Sequence, residues 1–168
     1  MILIGIDPGT ARTGYAVLDM HSYPTLIKTD VITTPAEVDM HKRLKILYRE
    51  LTAIVKEHNP DTMVVERLFF NTNVKTAITV GQSRGISLLV AANKNLKVFE
   101  YTALEAKLAL TGYGRSDKKQ VQEAVKQVLN LDSIVKSDDA NDAVAIALCH
   151  LVKEFSAVFG YVKTRKEA

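Results

Sequence analysis

The stretch ILIGIDPGTARTGYAVLD, residues 2–19, predicts two β-strands joined by a tight turn. Residues 2–7 form a short apolar run rich in β-branched side chains. Pro8 and Gly9 close this run, which is typical of a buried strand that ends in a turn. Residues 14–19 follow as a second strand, and TLIKTDVITT, residues 25–34, as a third. The chain is therefore expected to open with a three-stranded antiparallel meander.

Helices and two further strands follow the meander. Apolar residues at spacings of three and four predict a helix from Pro35 to His58. Because long helices and not tight turns precede the fourth and fifth strands, these two strands are expected to lie parallel to a neighbour. The fold class is therefore α/β, with a mixed five-stranded sheet of a meander plus two parallel strands, flanked by helices. The remaining strands are predicted at 62–66 and 97–101, and the helices at about 73–92, 103–110, 117–130 and 139–155.

Composition restricts the class of protein. The chain has 168 residues and 47% hydrophobic content, which fits a single domain over residues 1–168 that ends in a flexible tail of about ten residues. There is no run of 18 apolar residues and no signal-peptide pattern, so we expect a cytoplasmic protein that has no membrane among its partners. The single cysteine, Cys149, lies in an apolar helix and is interpreted as a core residue.

Acidic residues end two of the predicted strands. Asp7 ends the first strand and Glu66 the fourth, and ligands of open α/β sheets bind outside the carboxyl ends of the strands. Either residue alone is a common turn or strand-end acid. If the two strands are parallel neighbours, however, their carboxylates lie side by side and indicate a site.

More acid stands at the head of the apolar helix SDDANDAVAIALCH, residues 137–150. Asp138 is interpreted as the helix N-cap, and the helix dipole favours further acids in the first turn. Asp139 and Asp142 are three residues apart and share one face. Asp142 lies a full turn into the helix, where the dipole benefit has faded, so we assign Asp139 and Asp142 to a site.

Carboxylates gathered in a partly buried site repel one another unless protons or cations neutralise them. A ligand set of oxygens without a histidine pair or cysteine cluster suits Mg²⁺ or Mn²⁺ better than zinc. Two such ions about 4 Å apart can activate a water and stabilise the leaving oxygen of a phosphate displacement. The predicted ligands are Asp7, Glu66, Asp139 and Asp142.

The motifs around these acids resemble the RuvC family of Holliday-junction endonucleases, in the RNase H-like superfamily. The family's catalytic acids fall on Asp7, Glu66, Asp139 and Asp142, the third of which is a histidine in some members. The resemblance implies an RNase H-like fold and Mg²⁺-dependent cleavage, with two ions per subunit and Mn²⁺ able to substitute. The resemblance extends to about residue 152. Its matching motifs are GIDPGTARTGYAV, VVERLFFNTN, GQSRGI, VFEYTALEAKLALTG, SDKKQVQ and DDANDAVAIALCH.

The resemblance also implies a homodimer that makes two symmetric nicks near the crossover of a four-way DNA junction, in recombination and repair. The branch-migration proteins RuvA and RuvB would be its partners. Ala77, Gly81 and Gly85, at successive i+4 positions, form a flat helix face that packs either on another helix or internally against the sheet. In the family, the corresponding helix forms the dimer contact.

Candidate DNA-binding residues lie between the acids. The family carries an aromatic residue at Phe69, so we assign Phe69 to base stacking and Phe70 to the core, although either could instead staple the loop. Lys107 and Lys118 match basic positions of the family near the scissile strand. The nearby Arg115 and Lys119 are either further phosphate contacts or solvated surface charges.

Three other functions remain alternatives. A YqgF-like nuclease acting on ribosomal RNA precursors shares an opening strand of the type GIDPGT, but the DDAND helix head and the aromatic loop favour the RuvC family. A phosphate-loop ATPase of the actin and sugar-kinase type needs a second phosphate loop, for which the sequence has no motif. A non-catalytic junction-binding module is disfavoured because all four acids are present.

Overall fold

A computed structural model describes residues 1–21, 23–67 and 74–155, and a mixed five-stranded sheet forms its centre. The strands stand in the spatial order β3-β2-β1-β4-β5. β1, β2 and β3 pair antiparallel, while β4 is parallel to β1 and β5 is parallel to β4, so the predicted meander and parallel strands are confirmed. The bounds are Ile2–Asp7 for β1, Arg12–Asp19 for β2, Thr25–Thr33 for β3, Thr62–Glu66 for β4 and Lys97–Tyr101 for β5.

Helices cover both faces of the sheet. α1 and α2 enclose one apolar core, and α3, α4 and α5 enclose the other. Within the described ranges, no helix is long and apolar enough to cross a membrane. The bounds are Met40–His58 for α1, Val74–Asn93 for α2, Ala103–Thr111 for α3, Lys118–Val128 for α4 and Asp138–Glu154 for α5.

Two predicted helix starts are wrong. α1 begins at Met40 and not at Pro35, because residues 35–39 form turns before the helix and Asp39 is its N-cap residue. α5 is capped by Ser137, whose hydroxyl accepts a hydrogen bond from the backbone N–H of Ala140 at 3.5 Å. Asp138 is therefore the first helical residue, and its carboxylate is free to accept a hydrogen bond from Lys118.

Strand residues alternate between the two cores, as the two-residue period of a strand requires. In β1, Leu3 faces the core under α5, whereas Ile4 and Ile6 face the core under α1 and α2. Burial on both faces explains why the strand is an almost unbroken apolar run. Cys149 on α5 is fully buried, which confirms that it is a core residue.

α5 lies unusually close to the sheet because two glycines face it. A Cβ atom on Gly5 of β1 would stand 2.2 Å from the backbone oxygen of Ala143, and one on Gly14 of β2 would stand 1.8 Å from that of Asp139. Both distances are far below van der Waals contact. Only residues without a side chain at these two positions therefore allow α5 its observed place.

The small-residue face of α2 points away from the sheet. A Cβ atom built on Gly81 or Gly85 would meet no described atom within 4 Å, so internal packing does not explain the glycines. Ile78 and Leu89, one near each end of the same stripe, are 58% and 48% exposed. Among the described residues, this apolar face is left uncovered.

We expect Gly5→Ala to lower the free energy of unfolding by more than about 3 kcal/mol, because the new methyl group must push α5 off the sheet. The matched control is Gly112→Ala, where φ is +77° and an added Cβ meets nothing within 4 Å. That change should cost only about 1–2 kcal/mol of backbone strain. Urea unfolding followed by circular dichroism measures both, and equal losses would contradict the close-contact explanation.

Candidate active site

Two carboxylates meet where β1 and β4 end. Ile6 pairs with Val65 in the parallel register, so the next residues, Asp7 and Glu66, end their strands side by side. The two side chains share a hydrogen bond in which the Asp7 carboxyl donates to the Glu66 carboxylate. The sequence-based expectation that these acids would be neighbours is confirmed.

α5 brings the other two acids to the same edge. Gly14 lies opposite Asp7 in the antiparallel β1–β2 register, and the backbone of Asp139 rests directly on it. Asp142 follows one helical turn later and interacts electrostatically with both Asp7 and Glu66. The site therefore combines the carboxyl ends of two parallel strands with the first turns of a buried helix.

Burial, and after it the charges of neighbouring acids, raises the pKa values of three of the acids. Burial is the largest cause for Asp7, followed by the negative charges of Glu66, Asp142 and Asp139. Burial also raises the pKa of Glu66, followed by the charge of Asp142, while the bond from Asp7 and the charge of Lys107 oppose the rise. The pKa of Asp142 is raised mainly because protein displaces water around it, although the residue stays exposed on one side.

Asp139 has a different environment, which the sequence interpretation missed. The Nε of Arg12 donates to the Oδ2 of Asp139 at 2.6 Å, and Nη2 of the same guanidinium donates to the Ser137 hydroxyl at 3.2 Å. Arg12 is the first residue of β2, immediately after the turn that follows Asp7. That closeness in sequence to Asp7 was the one signal that could have found it.

Two of the acids and two lysines line one depression of about 120 Å³. Its lining consists of Glu66 and Asp142, Lys107 from α3, Lys118 from α4, and apolar side chains of α3, α4 and α5. α4 begins with a capping box in which Asp117 and Gln120 bond to each other's backbone N–H groups. This box fixes the helix start that carries Lys118.

Two of the remaining candidates do not line this depression. Arg115 and Lys119 are exposed and do not line it. Phe69 and Phe70 fall outside the described residues. The structure thus places Lys107 and Lys118 in the depression with two of the acids, and it does not place Arg115 and Lys119 in its lining.

The donor set fits a hard divalent cation. Its atoms are carboxylate oxygens whose raised pKa values reflect burial and mutual repulsion, and a bound cation would relieve both. As the side chains stand in the described ranges, no three acidic, histidine or cysteine residues are arranged to ligate one ion. The assignment of all four acids as ligands therefore stays a prediction, and Asp139 is the one of the four that forms an ion pair within the described residues.

Comparison with known proteins agrees with this arrangement. Residues 3–150 match the family model described as crossover junction endodeoxyribonuclease RuvC. The RuvC protein of Alkaliphilus oremlandii is 50% identical over 89% of this chain and 92% of its own length, and that of Finegoldia magna is 47% identical over 99% and 100%. The structure of Thermus thermophilus RuvC in complex with Holliday junction substrate superposes with a TM-score of 0.86 and 28% identity, covering 95% and 96% of the two chains.

The sheet order, together with acids contributed by two parallel strands and the helix across them, defines a nuclease of the RNase H-like class, as the sequence predicted. Its family follows from the near-complete match to curated relatives. The chain belongs to the RuvC family of crossover junction endodeoxyribonucleases, which are metal-dependent enzymes.

In a chelator, Asp7→Asn should raise the free energy of unfolding by about 1–2 kcal/mol, or the Tm by about 2–8 °C at pH 8. The raised pKa values of Asp7 and Glu66 mean that the folded chain binds more protons than the unfolded chain above about pH 4. These two acids therefore make wild-type stability fall as pH rises from 5 to 8, and the variant should show a flatter profile.

Asp132→Asn is the control for this measurement, since Asp132 is an exposed acid before α5. Scanning calorimetry between pH 5 and 8 should find its profile parallel to that of the wild type. An Asp7→Asn profile as steep as the wild type would show that the acids do not repel one another in the folded chain.

Proposed function

We propose that this chain resolves Holliday junctions by paired symmetric nicks near the crossover, through metal-dependent hydrolysis of phosphodiester bonds in recombination and repair. The observation that carries the proposal is the convergence of Asp7, Glu66 and Asp142 beside Lys107 and Lys118, in a chain of the RuvC family. Repelling carboxylates next to phosphate-binding lysines suit a reaction on a polyanion and have no evident structural purpose.

Mg²⁺ is the proposed cofactor, with two ions per subunit and Mn²⁺ as a substitute, held by Asp7, Glu66, Asp139 and Asp142. When bound, such ions would activate a water as the nucleophile at neutral pH and supply positive charge that stabilises the leaving oxygen. The protein's own part is to hold the carboxylates rigidly. β1 and β4 fix two of them through the sheet, and the buried helix α5 fixes the others.

The lysines are proposed to bind the DNA backbone. Lys107 and Lys118 line the same depression as Glu66 and Asp142, so a phosphate diester that enters it would meet positive charge close to the acids. Arg115 and Lys119 are exposed and are proposed to extend this contact along the strand. Phosphate contacts position DNA without reading its sequence. Phe69, the proposed base-stacking residue, lies outside the described part of the chain.

A homodimer is proposed because two symmetric nicks require two sites. The uncovered face of α2 supports it: Ala77, Gly81 and Gly85 allow close approach of a second helix, and Ile78 and Leu89 supply apolar contact at its ends. RuvA and RuvB as partners and a cytoplasmic location are proposed from family membership and remain predictions. A single domain over residues 1–168 is likewise a proposal.

The alternatives have less support. Neither a YqgF-like RNA-processing nuclease nor a non-catalytic junction-binding module is favoured by the comparisons, in which the curated relatives are named as crossover junction endodeoxyribonucleases over most of this chain. A non-catalytic module would also not need three partly desolvated acids in mutual repulsion. Incubation with labelled four-way junction, linear duplex and structured RNA in Mg²⁺ separates these functions. Paired nicks confined to the junction support the proposal, and cleavage of RNA alone would overturn it.

Asp142→Asn should lower the nicking rate at least about a hundredfold, because it removes a charged metal ligand. Junction binding measured in a chelator should be unchanged or tighter, since the change removes a negative charge near phosphates and no phosphate contact. Asp132→Asn provides a charge-matched control with normal nicking. A folded Asp142→Asn protein that nicks at the wild-type rate would exclude this acid from the reaction.

Gly81→Leu should convert the dimer into a monomer at micromolar concentration, because the bulky side chain fills the space needed by a second helix. The matched control is Ala53→Leu on the exposed side of α1, which should leave the dimer intact. Sedimentation velocity measures the molecular mass of both variants. A dimeric Gly81→Leu protein would mean that the two chains associate through another surface.

A further inference from the structure

We propose that Arg12 is a positioning residue that withholds Asp139 from the metal site until a DNA phosphate takes its guanidinium. Asp139 would then complete the ligand set only when substrate is in place. This inference rests on the proposed function, because it takes junction DNA as the substrate and the four acids as the ligands. It assigns to Arg12 a role that couples the two binding events.

The first support is the geometry of Arg12 itself. Its Nε and Nη2 atoms hold the Asp139 carboxylate and the Ser137 hydroxyl at 2.6 and 3.2 Å. Both partners belong to the start of α5, which is itself pressed onto Gly14 two residues further along β2. Because this contact fixes the backbone of Asp139, only rotation of the side chain can move its carboxylate toward or away from Arg12.

The second support is the contrast among the four acids. In the described ranges, Asp7, Glu66 and Asp142 form no ion pair, whereas Asp139 forms one at 2.6 Å. An arginine that only balanced the acidic cluster would be better placed beside the two buried strand-end acids. Arg12 instead neutralises the acid at the rim, and a cation would have to compete with it for that carboxylate.

The third support is the access of Arg12 to solvent. Its side chain is 52% exposed, and its remaining N–H donors make no hydrogen bond within the described residues. A guanidinium has five donors in a planar fork that matches phosphate, so the free donors can meet a DNA strand at the rim of the site. Bidentate, charge-assisted hydrogen bonds to the DNA backbone phosphates would then outcompete the one hydrogen bond to the half-buried carboxylate of Asp139.

The consequence is a reciprocal coupling between metal and DNA. If a phosphate releases Asp139 from Arg12, DNA binding raises metal affinity, and metal bound at Asp139 frees Arg12 for DNA by the same factor. In the absence of DNA, the pair weakens the metal site. An enzyme of this design would not hold its full set of ions while it is away from a junction.

The test measures Mn²⁺ binding to DNA-free protein by titration calorimetry. Arg12→Ala should bind Mn²⁺ about three- to fivefold more tightly than the wild type, the range expected when an exposed ion pair no longer competes. Arg12→Lys, which keeps the charge but loses the fork, should fall between them. Arg49→Ala is the matched control, because Arg49 is an exposed arginine that pairs with Glu50 on α1.

A double-mutant comparison shows whether Arg12 acts through Asp139. In an Asp139→Asn background, Arg12→Ala should leave Mn²⁺ affinity unchanged. Separately, Arg12→Ala should weaken junction binding in a chelator and reduce its salt dependence by about one phosphate contact. Thermal melting of each variant verifies that it is folded.

Unchanged or weaker Mn²⁺ binding by folded Arg12→Ala would overturn the proposal, as would an equal gain in Arg49→Ala or a gain that persists with Asp139→Asn. Unaltered junction binding and salt dependence would also overturn it. These arms use DNA-free protein or a chelator and do not depend on cleavage. Failure of the wild type to nick junctions in Mg²⁺ would instead count against the proposed function itself.

Discussion

The contact between the backbone of α5 and the sheet at Gly5 and Gly14 is the constraint on which the site depends. Because neither glycine has a Cβ, the carbonyls of Ala143 and Asp139 lie where side chains would otherwise stand. The helix therefore approaches β1 and β2 closely enough to carry its two acids to the carboxyl ends of β1 and β4. A side chain at either position would push α5 outward and move its two acids away from Asp7 and Glu66.

This arrangement stores electrostatic repulsion in a part of the fold that cannot relax. Asp7 and Glu66 are held by paired strands, and α5 is apolar and buried along most of its length. The backbone segments that carry the carboxylates cannot move apart without disturbing the core, so protons, cations or a basic side chain must relieve much of the repulsion. Arg12 relieves it for Asp139, and the hydrogen bond between Asp7 and Glu66 relieves part of it for that pair.

The loop that follows Asp7 also connects the site to the uncovered face of α2. The Thr10 hydroxyl donates to the backbone oxygen of Thr79 at 2.6 Å, and the Thr34 hydroxyl donates to the backbone oxygen of Thr10 at 2.6 Å. Thr10 and Thr34 are both buried. The catalytic edge of the sheet and the helix proposed to join two subunits are therefore fixed to one another by hydrogen bonds. In a dimer formed through α2, this connection would set the separation of the two sites and hence of the two nicks.

Local patterns in the sequence determined the strands, most of the helix bounds and the place of Asp7 and Glu66 at the ends of their strands. Apolar runs, their periods and the acids that end them are properties of neighbouring residues, so the sheet, its parallel pair and the pairing of Asp7 with Glu66 were predicted correctly. The start of α1 and the cap of α5 were not, because turns over residues 35–39 compete with the helical pattern and Ser137 competes with Asp138. Tertiary structure alone decided that Arg12 meets Asp139, since 127 residues separate them, and that the glycines of α2 face outward. Such contacts depend on which faces the packed elements turn toward each other, and no local pattern encodes that choice.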